Sequence, residues 1–216
     1  MKIKEESIVE LFKKKSTFKK SLNHTSKFYR QYDPGLFLYK LLLNFSGEFL
    51  CDEHIELIYT TLIAWNMNSR GAKLCGYNKF RTMLLKKKDL LQELRSKYIE
   101  KLSNEEFVEV LEKIKKLYSS LKISDTKTQL ISFSKTIHFL LPNLVMPIDR
   151  KYTLSFFYNK TNVNYKSQYY DYCEIQKVLH CVSLRYKLSD YLDQNWNLNI
   201  PKTFDNAIIG FVRTHN

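Results

Sequence analysis

A mainly helical fold is predicted by three features of the chain. Apolar residues recur at intervals of three and four over long stretches. Runs that alternate apolar and polar residues, as half-buried strands require, are scarce. Only five Gly and four Pro punctuate 216 residues, too few for the many tight turns of an all-β fold. Apolar residues make up 44% of the sequence and aromatic residues 14%, enough for a folded core rather than a disordered tail. The expected architecture is all-α, with residues 1–216 as a single helical domain or two helical lobes around a cleft. No internal repeat, low-complexity tract or linker divides the chain.

Residues 1–30 are a basic N-terminal segment. Lys13-Lys14-Lys15 and Lys19-Lys20 interleave with Phe12, Phe18, Phe28 and Tyr29. A surface helix followed by a loop is expected, serving either as a basic arm on DNA or as a solvated face. Asp33-Pro34-Gly35 is a turn, and an apolar helix runs from Leu36 to Phe45, ending near Gly47. Asp52 is the expected N-cap of the next helix, which carries Ile55, Ile58, Leu62 and Trp65 on one face.

That helix leads into a dense polar set, Trp65, Asn66, Asn68, Ser69 and Arg70, followed by Gly71. Such a segment either binds a phosphate or a base edge, or uses its Asn side chains to cap helices. Residues 77–102 read as a Lys-rich helix, or two, with Phe80, Leu84, Leu91, Leu94 and Tyr98 inward. Asn104 is the expected cap of a further helix whose Phe107, Val110, Leu111, Ile114, Leu117 and Leu121 form one stripe. Residues 125–158 hold a hairpin and a signature region. After it, residues 152–158 read as an aromatic core helix, 159–166 as a polar loop and 170–192 as a helix. The C-terminal helix places a polar pair, Asp205-Asn206, inside an apolar run.

The formal charge is +13 and the pI about 9.4, which favours a polyanion as partner, DNA or another nucleic acid. Lysine accounts for 28 of the 35 basic residues, and Asn, Ile and Tyr are abundant. AT-rich coding inflates Lys in the same way, but does not explain the shortage of acids. Cys51, Cys75, Cys173 and Cys181 are widely spaced with no close pair. That pattern fits free thiols in a reducing cytoplasm rather than zinc ligands or a disulfide scaffold. The N-terminus shows no apolar signal-peptide core, and no run reaches the roughly 18 apolar residues of a membrane span. No cofactor and no metal site are expected, and no cluster of acids has the spacing of a metal-dependent nuclease.

The densest signature is Ser134-Lys135-Thr136-Ile137-His138, then Pro142, then Pro147-Ile148-Asp149-Arg150-Lys151-Tyr152-Thr153. Pro142 ends one helix because it lacks an N–H and clashes with the preceding turn. Pro147 keeps Met146 extended. Asp149 then sits where a carboxylate caps the next helix. An ionisable cluster on so apolar a frame is the expected seat of any chemistry, unless Asp149 serves only as a cap beside Arg150 and Lys135 only as a surface lysine.

This arrangement resembles the helix-hairpin-helix DNA glycosylase superfamily. The resemblance implies a hairpin on the DNA backbone, a catalytic carboxylate at Asp149 and, in members that also cleave the strand, a nucleophilic amine at Lys135. The chain departs from that pattern in three ways. Leu130-Ile131-Ser132-Phe133-Ser134 has no hairpin glycine, Lys135 and Asp149 are only 14 residues apart, and no Cys cluster for an iron–sulfur site is present. The same residues, with Ala64-Trp65, Met67 and Asp205-Asn206-Ala207-Ile208, also look like the signature of a widespread bacterial family of this length, a resemblance that carries no reaction. Base excision requires an extruded base, a pocket to read it and a carboxylate beside the sugar. On that reading Trp65, His138 and Tyr152 are stacking candidates, unless Trp65 and His138 are simply core residues, and Asn68, Arg70 and Arg150 contact base or phosphate. The alternatives are a non-enzymatic nucleic-acid-binding module of the same fold and a helical protein-interaction protein.

Overall fold

The computed structural model describes residues 3–28, 30, 32–67, 73–162 and 164–215. Within them the protein is all-α: eleven α-helices and short 3-10 and π turns, with one isolated bridge between Leu74 and Ser124 and no strand. No helix of the described residues is long and apolar enough to cross a membrane.

The basic N-terminal segment forms two helices, α1 (Glu5–Phe12) and α2 (Lys15–Ser26), broken at a corner. Its second helix is no mere surface helix, because Phe18, Leu22 and Thr25 are buried against the C-terminal helix α11 (Ile200–His215). Gly210 makes that contact. A β-carbon there would stand 1.9 Å from the Ser21 carbonyl oxygen, so only hydrogen permits the approach. Helix α3 (Pro34–Leu43) is capped by Asp33, whose side chain accepts from the N–H groups of Gly35 and Leu36.

Helix α4 (Asp52–Ala64) packs on α3. Its N-cap is Cys51, one residue before the expected Asp52, which joins the first turn where the helix dipole favours a carboxylate. The Lys-rich stretch resolves into α5 (Tyr77–Leu85), α6 (Lys88–Arg95) and a 3-10 turn, Ile99–Lys101. Helix α7 (Asn104–Ser120) begins with a capping box: Glu106 N–H donates to Ser103 Oγ, and Ser103 N–H donates back to Glu106. The cap is therefore Ser103 rather than Asn104. Helix α8 (Leu130–Leu140) follows a nine-residue connection, 121–129, and runs through the centre of the molecule. After residues 141–149 come a π turn (Arg150–Leu154) and α9 (Ser155–Tyr158). Helix α10 (Gln168–Arg185) stops before residue 192, and a 3-10 turn (Leu188–Tyr191) leads towards α11.

A charged cleft opened by the segment after α8

Ten of the eleven residues of α8 are buried, including Ser134, Lys135, Thr136 and His138. Each polar one must find a partner, since an unpaired polar group in the interior costs about 1–3 kcal/mol. Those partners build the site. His138 Nδ1 donates to the Val145 carbonyl at 2.7 Å, and its Nε2 accepts from Tyr39 Oη at 2.6 Å. Tyr39 Oη in turn accepts from Asn199 Nδ2 at 2.8 Å. A carbonyl can only accept, so Nδ1 carries the proton, and a neutral ring then leaves Nε2 as the acceptor. Burial pushes the His138 imidazole down to about 3, keeping it neutral.

One turn earlier on the same face, Ser134 Oγ accepts from Ile148 N–H at 3.0 Å. From α10, Gln176 clamps Met146 at both ends, with Oε1 accepting from its N–H and Nε2 donating to its carbonyl, each at 3.0 Å. Residues 145–148 are thereby fixed, and they deliver Asp149. Its Oδ1 accepts from the N–H groups of Lys151 and Tyr152 at 2.7 and 3.2 Å. No hydrogen bond among the described residues engages Oδ2. Leu154 N–H bonds the Asp149 carbonyl, five residues back, which makes the first turn a π turn. Such turns recur at functional sites.

Asp149 lines a cleft of about 230 Å³ with Trp65, Asn66, Lys135, Tyr152, Trp196, Lys202 and Asp205; Asp33, Gly35 and Pro147 complete part of its wall. The volume is below the ~300–1,000 Å³ usual for a small-molecule site and suits a single planar ring or a small anion. Trp65 ends α4, and its Nε1 donates to the Gly35 carbonyl at 3.1 Å. Lys135 Nζ donates to the Trp65 carbonyl at 3.1 Å and lies 5.7 Å from the indole centroid. From α11, Lys202 Nζ pairs with Asp205 Oδ2 at 2.5 Å, both side chains 5% exposed or less. The same ammonium lies 5.1 Å from the Trp65 ring and 5.3 Å from the Trp196 ring, close enough for cation–π attraction.

The electrostatics are those of charges taken out of water. Burial lowers the Lys135 amine from its ordinary value, opposed by the carboxylates of Asp149 and Asp205 and assisted by Lys202. Burial raises the Asp205 carboxyl, opposed chiefly by Lys202. The cleft thus combines a desolvated amine, a helix-capping carboxylate, a buried ion pair and three aromatic walls.

Of the residues singled out in the sequence, Asp149, Lys135, Trp65 and Tyr152 come together in this cleft, although Trp65 and Lys135 are 70 residues apart. His138 does not line it; the ring lies wholly in the core and holds the segment that carries Asp149. Arg150 is exposed, with Nη2 donating to Thr128 Oγ1 at 3.3 Å, and does not line the cleft. Asn68 and Arg70 lie outside the described residues. Lys202, Asp205 and Trp196 were not anticipated as a group. The legible hint was a Lys and an Asp three residues apart within an apolar helical run, a spacing that sets both on one face.

No group of three or more His, Cys, Asp or Glu among the described residues is arranged to hold a metal ion. The four cysteines are free thiols, only Cys75 fully buried. Comparison with protein-family models, curated proteins and solved structures gives no match for this chain.

Proposed function

We propose that this protein binds DNA and excises a base, as an enzyme of the helix-hairpin-helix DNA glycosylase type, with Asp149 as the carboxylate beside the sugar. The observation that carries the reading is the convergence of Asp149 and Lys135 on one base-sized cleft walled by Trp65, Trp196 and Tyr152. The helix order adds support, since Lys135 lies in the second of two consecutive helices and Asp149 opens the next helical segment. The charge of +13 supplies attraction for a polyanion.

An extruded base would enter between the aromatic walls, as enzymes acting on a base require. As the glycosidic bond breaks, positive charge grows on the sugar, and a fixed carboxylate at Asp149 stabilises it. The same carboxylate would orient the attacking water. Lys135 offers a second route, because a desolvated amine is nucleophilic. Repair of a damaged base and defence against phage DNA both suit this chemistry.

The second reading is a binding module with this fold and no reaction. It is favoured by the nine-residue, glycine-free connection between α7 and α8, which lacks the tight hairpin turn of the superfamily.

The test is release of free base, or formation of alkali-labile sites, from a panel of damaged and phage-type modified duplexes. Asp149→Asn is expected to lower the rate by ~10²–10³ while leaving the thermal midpoint unchanged, because Asn caps a helix as well as Asp. Equal product from mutant and wild type would remove Asp149 from the chemistry. No product from either protein would leave the binding module. A borohydride-trapped adduct lost in Lys135→Gln would mark that amine as the nucleophile.

A further inference from the structure

A second cavity, of about 370 Å³, opens where the α1–α2 corner meets the end of α10. It lies on a different face of α11 from the charged cleft: Lys202 and Asp205 line the cleft, whereas Phe204 contacts Phe12, which lines this cavity. Five cations line it, Lys13, Lys14, Lys15, Arg185 and Lys187, all exposed, against one carboxylate, Asp190. Among the described residues, only Lys13 has an acidic partner, Glu10 at 3.6 Å. The other four cations carry no ion pair, so their charge is available to a ligand.

The wall is aromatic in a specific way. Tyr186, Phe12 and Phe18 form one continuous stack, with centroids 4.2 and 5.1 Å apart and planes within 26°. Phe18 is the buried end. Tyr186 is the outer end and 41% exposed. A stack that ends in an open ring, surrounded by unpaired cations, offers a planar π face next to anion contacts. The first turn of α2 reinforces the field, since it holds no acid and its N-cap, Lys14, makes no side-chain cap. Lys19 continues the Lys15 edge of α2 one turn on.

We propose that this cavity is a single-stranded nucleic-acid subsite, separate from the cleft, in which a base stacks on Tyr186 and flanking phosphates contact Lys14, Lys15, Arg185 and Lys187. Stacking on an aromatic ring beside a basic groove is how single strands are held without sequence readout. The inference rests on the nucleic-acid reading above and deepens it, giving the protein a hold on strand that is not being processed in the cleft.

The probe is fluorescein-labelled oligothymidylate, followed by anisotropy from 20 to about 200 mM salt, with a labelled duplex in parallel. Tyr186→Leu retains apolar contact with Phe12 and removes the ring; it is expected to weaken oligothymidylate binding about tenfold, while Tyr186→Phe binds as wild type. Lys14→Ala with Lys187→Ala is expected to flatten the salt dependence by about 0.7 log units per phosphate contact removed. Thermal melting of each variant separates lost binding from lost fold. Wild-type affinity in Tyr186→Leu, with duplex binding intact, would overturn the subsite alone. Wild-type protein that binds neither oligothymidylate nor duplex at low salt would overturn both the subsite and the DNA reading. Binding to anionic vesicles but not to oligothymidylate would replace the subsite with a lipid surface.

Discussion

Helices α7 and α8 are consecutive in the chain and opposite in construction. Helix α7 buries Phe107, Val110, Leu111, Ile114 and Leu117 along one stripe and leaves its charges in water. Helix α8 is buried on every side, and its Ser, Lys, Thr and His side chains go in with the rest. In α7 the polar residues close the capping box at its start, keep the outer face solvated and make a few weak surface pairs. In α8 the buried Ser132 and Thr136 hydroxyls bond carbonyls of their own turn, whereas three others are matched from elsewhere in the chain: Ser134 by Ile148, Lys135 by Trp65, His138 by Tyr39 and Val145. Helix α11 follows α8, with Lys202, Asp205 and Asn206 enclosed. Both of these enclosed helices send side chains into the cleft, Lys135 from α8 and Lys202 and Asp205 from α11. Geometric precision here comes from interior polar groups, because only there is an unmatched group costly enough to fix a conformation.

The sharpest way to break this comparison is to remove one partner of the interior pair. Lys202→Met leaves the Asp205 carboxylate buried without its cation, and loss of one member of a buried pair typically costs ~3–5 kcal/mol. Urea unfolding should show that loss in the midpoint. Lys202→Met combined with Asp205→Leu should recover much of it, since a well-packed apolar pair is often as stable as a buried ion pair. A single mutant as stable as wild type would mean that the pair is solvated and that α11 resembles α7 after all.

Acid should sharpen the same contrast. His138 is held neutral, at about 3, and His54 is likewise pushed down by burial, to about 4. The unfolded chain binds protons at these rings near pH 6.5, whereas the folded chain does not until far lower pH. Stability therefore falls as pH drops from about 6.5, at up to about 1.4 kcal/mol per pH unit for each ring. Asp205, raised by burial, acts in the opposite sense, but its contribution is common to wild type and His138→Gln, which can be compared at pH 7 and pH 5. Unfolding free energies at those two values should differ less in His138→Gln than in wild type. An identical pH dependence in both would show that His138 is not enclosed as described.

Helix α7 was legible in the sequence almost to the residue, since a 3.6-residue stripe is a local pattern, although the cap lies in the Ser103–Glu106 box rather than at the expected Asn104. Asp149 as a helix entry was equally local, announced by Pro147. The residues of α8 could be noticed but not interpreted. The partner of His138 on α3 is 99 residues away, and spacing carries no record of such a contact. His138 therefore reads as either a core histidine or a stacking candidate, and the structure gives the former, where it holds the segment before Asp149. The sequence leaves one helix or two open over residues 77–102, and the break between α5 and α6 has no marker because Lys86, Lys87 and Lys88 are all good helix formers. The π turn after Asp149 was hidden because a five-residue hydrogen-bond step has no residue pattern of its own. Lys202, Asp205 and Trp196 were missed as a group because Trp196 lies in the irregular segment before α11, where periodicity gives no direction.

The smallest expected effect belongs to α7 and is the control for the rest. Lys113 reaches from α7 to Glu93 on α6 and makes a direct ion pair, with the two side chains 30% and 49% exposed. The contact is short in geometry, like the interior Lys202–Asp205 pair, so distance alone would rank the two together. Solvent separates them. At the surface the Coulomb gain is screened, and holding two long side chains in one geometry costs entropy, so exposed pairs contribute ~0–1 kcal/mol. Lys113→Ala, Glu93→Ala and the double mutant should give a coupling energy below about 1 kcal/mol, and 0.5 M salt should erase most of it. A coupling as large as that of Lys202 with Asp205, and insensitive to salt, would mean that α6 and α7 shield their pair from water, and enclosure would no longer distinguish α8 and α11 from the rest of the molecule.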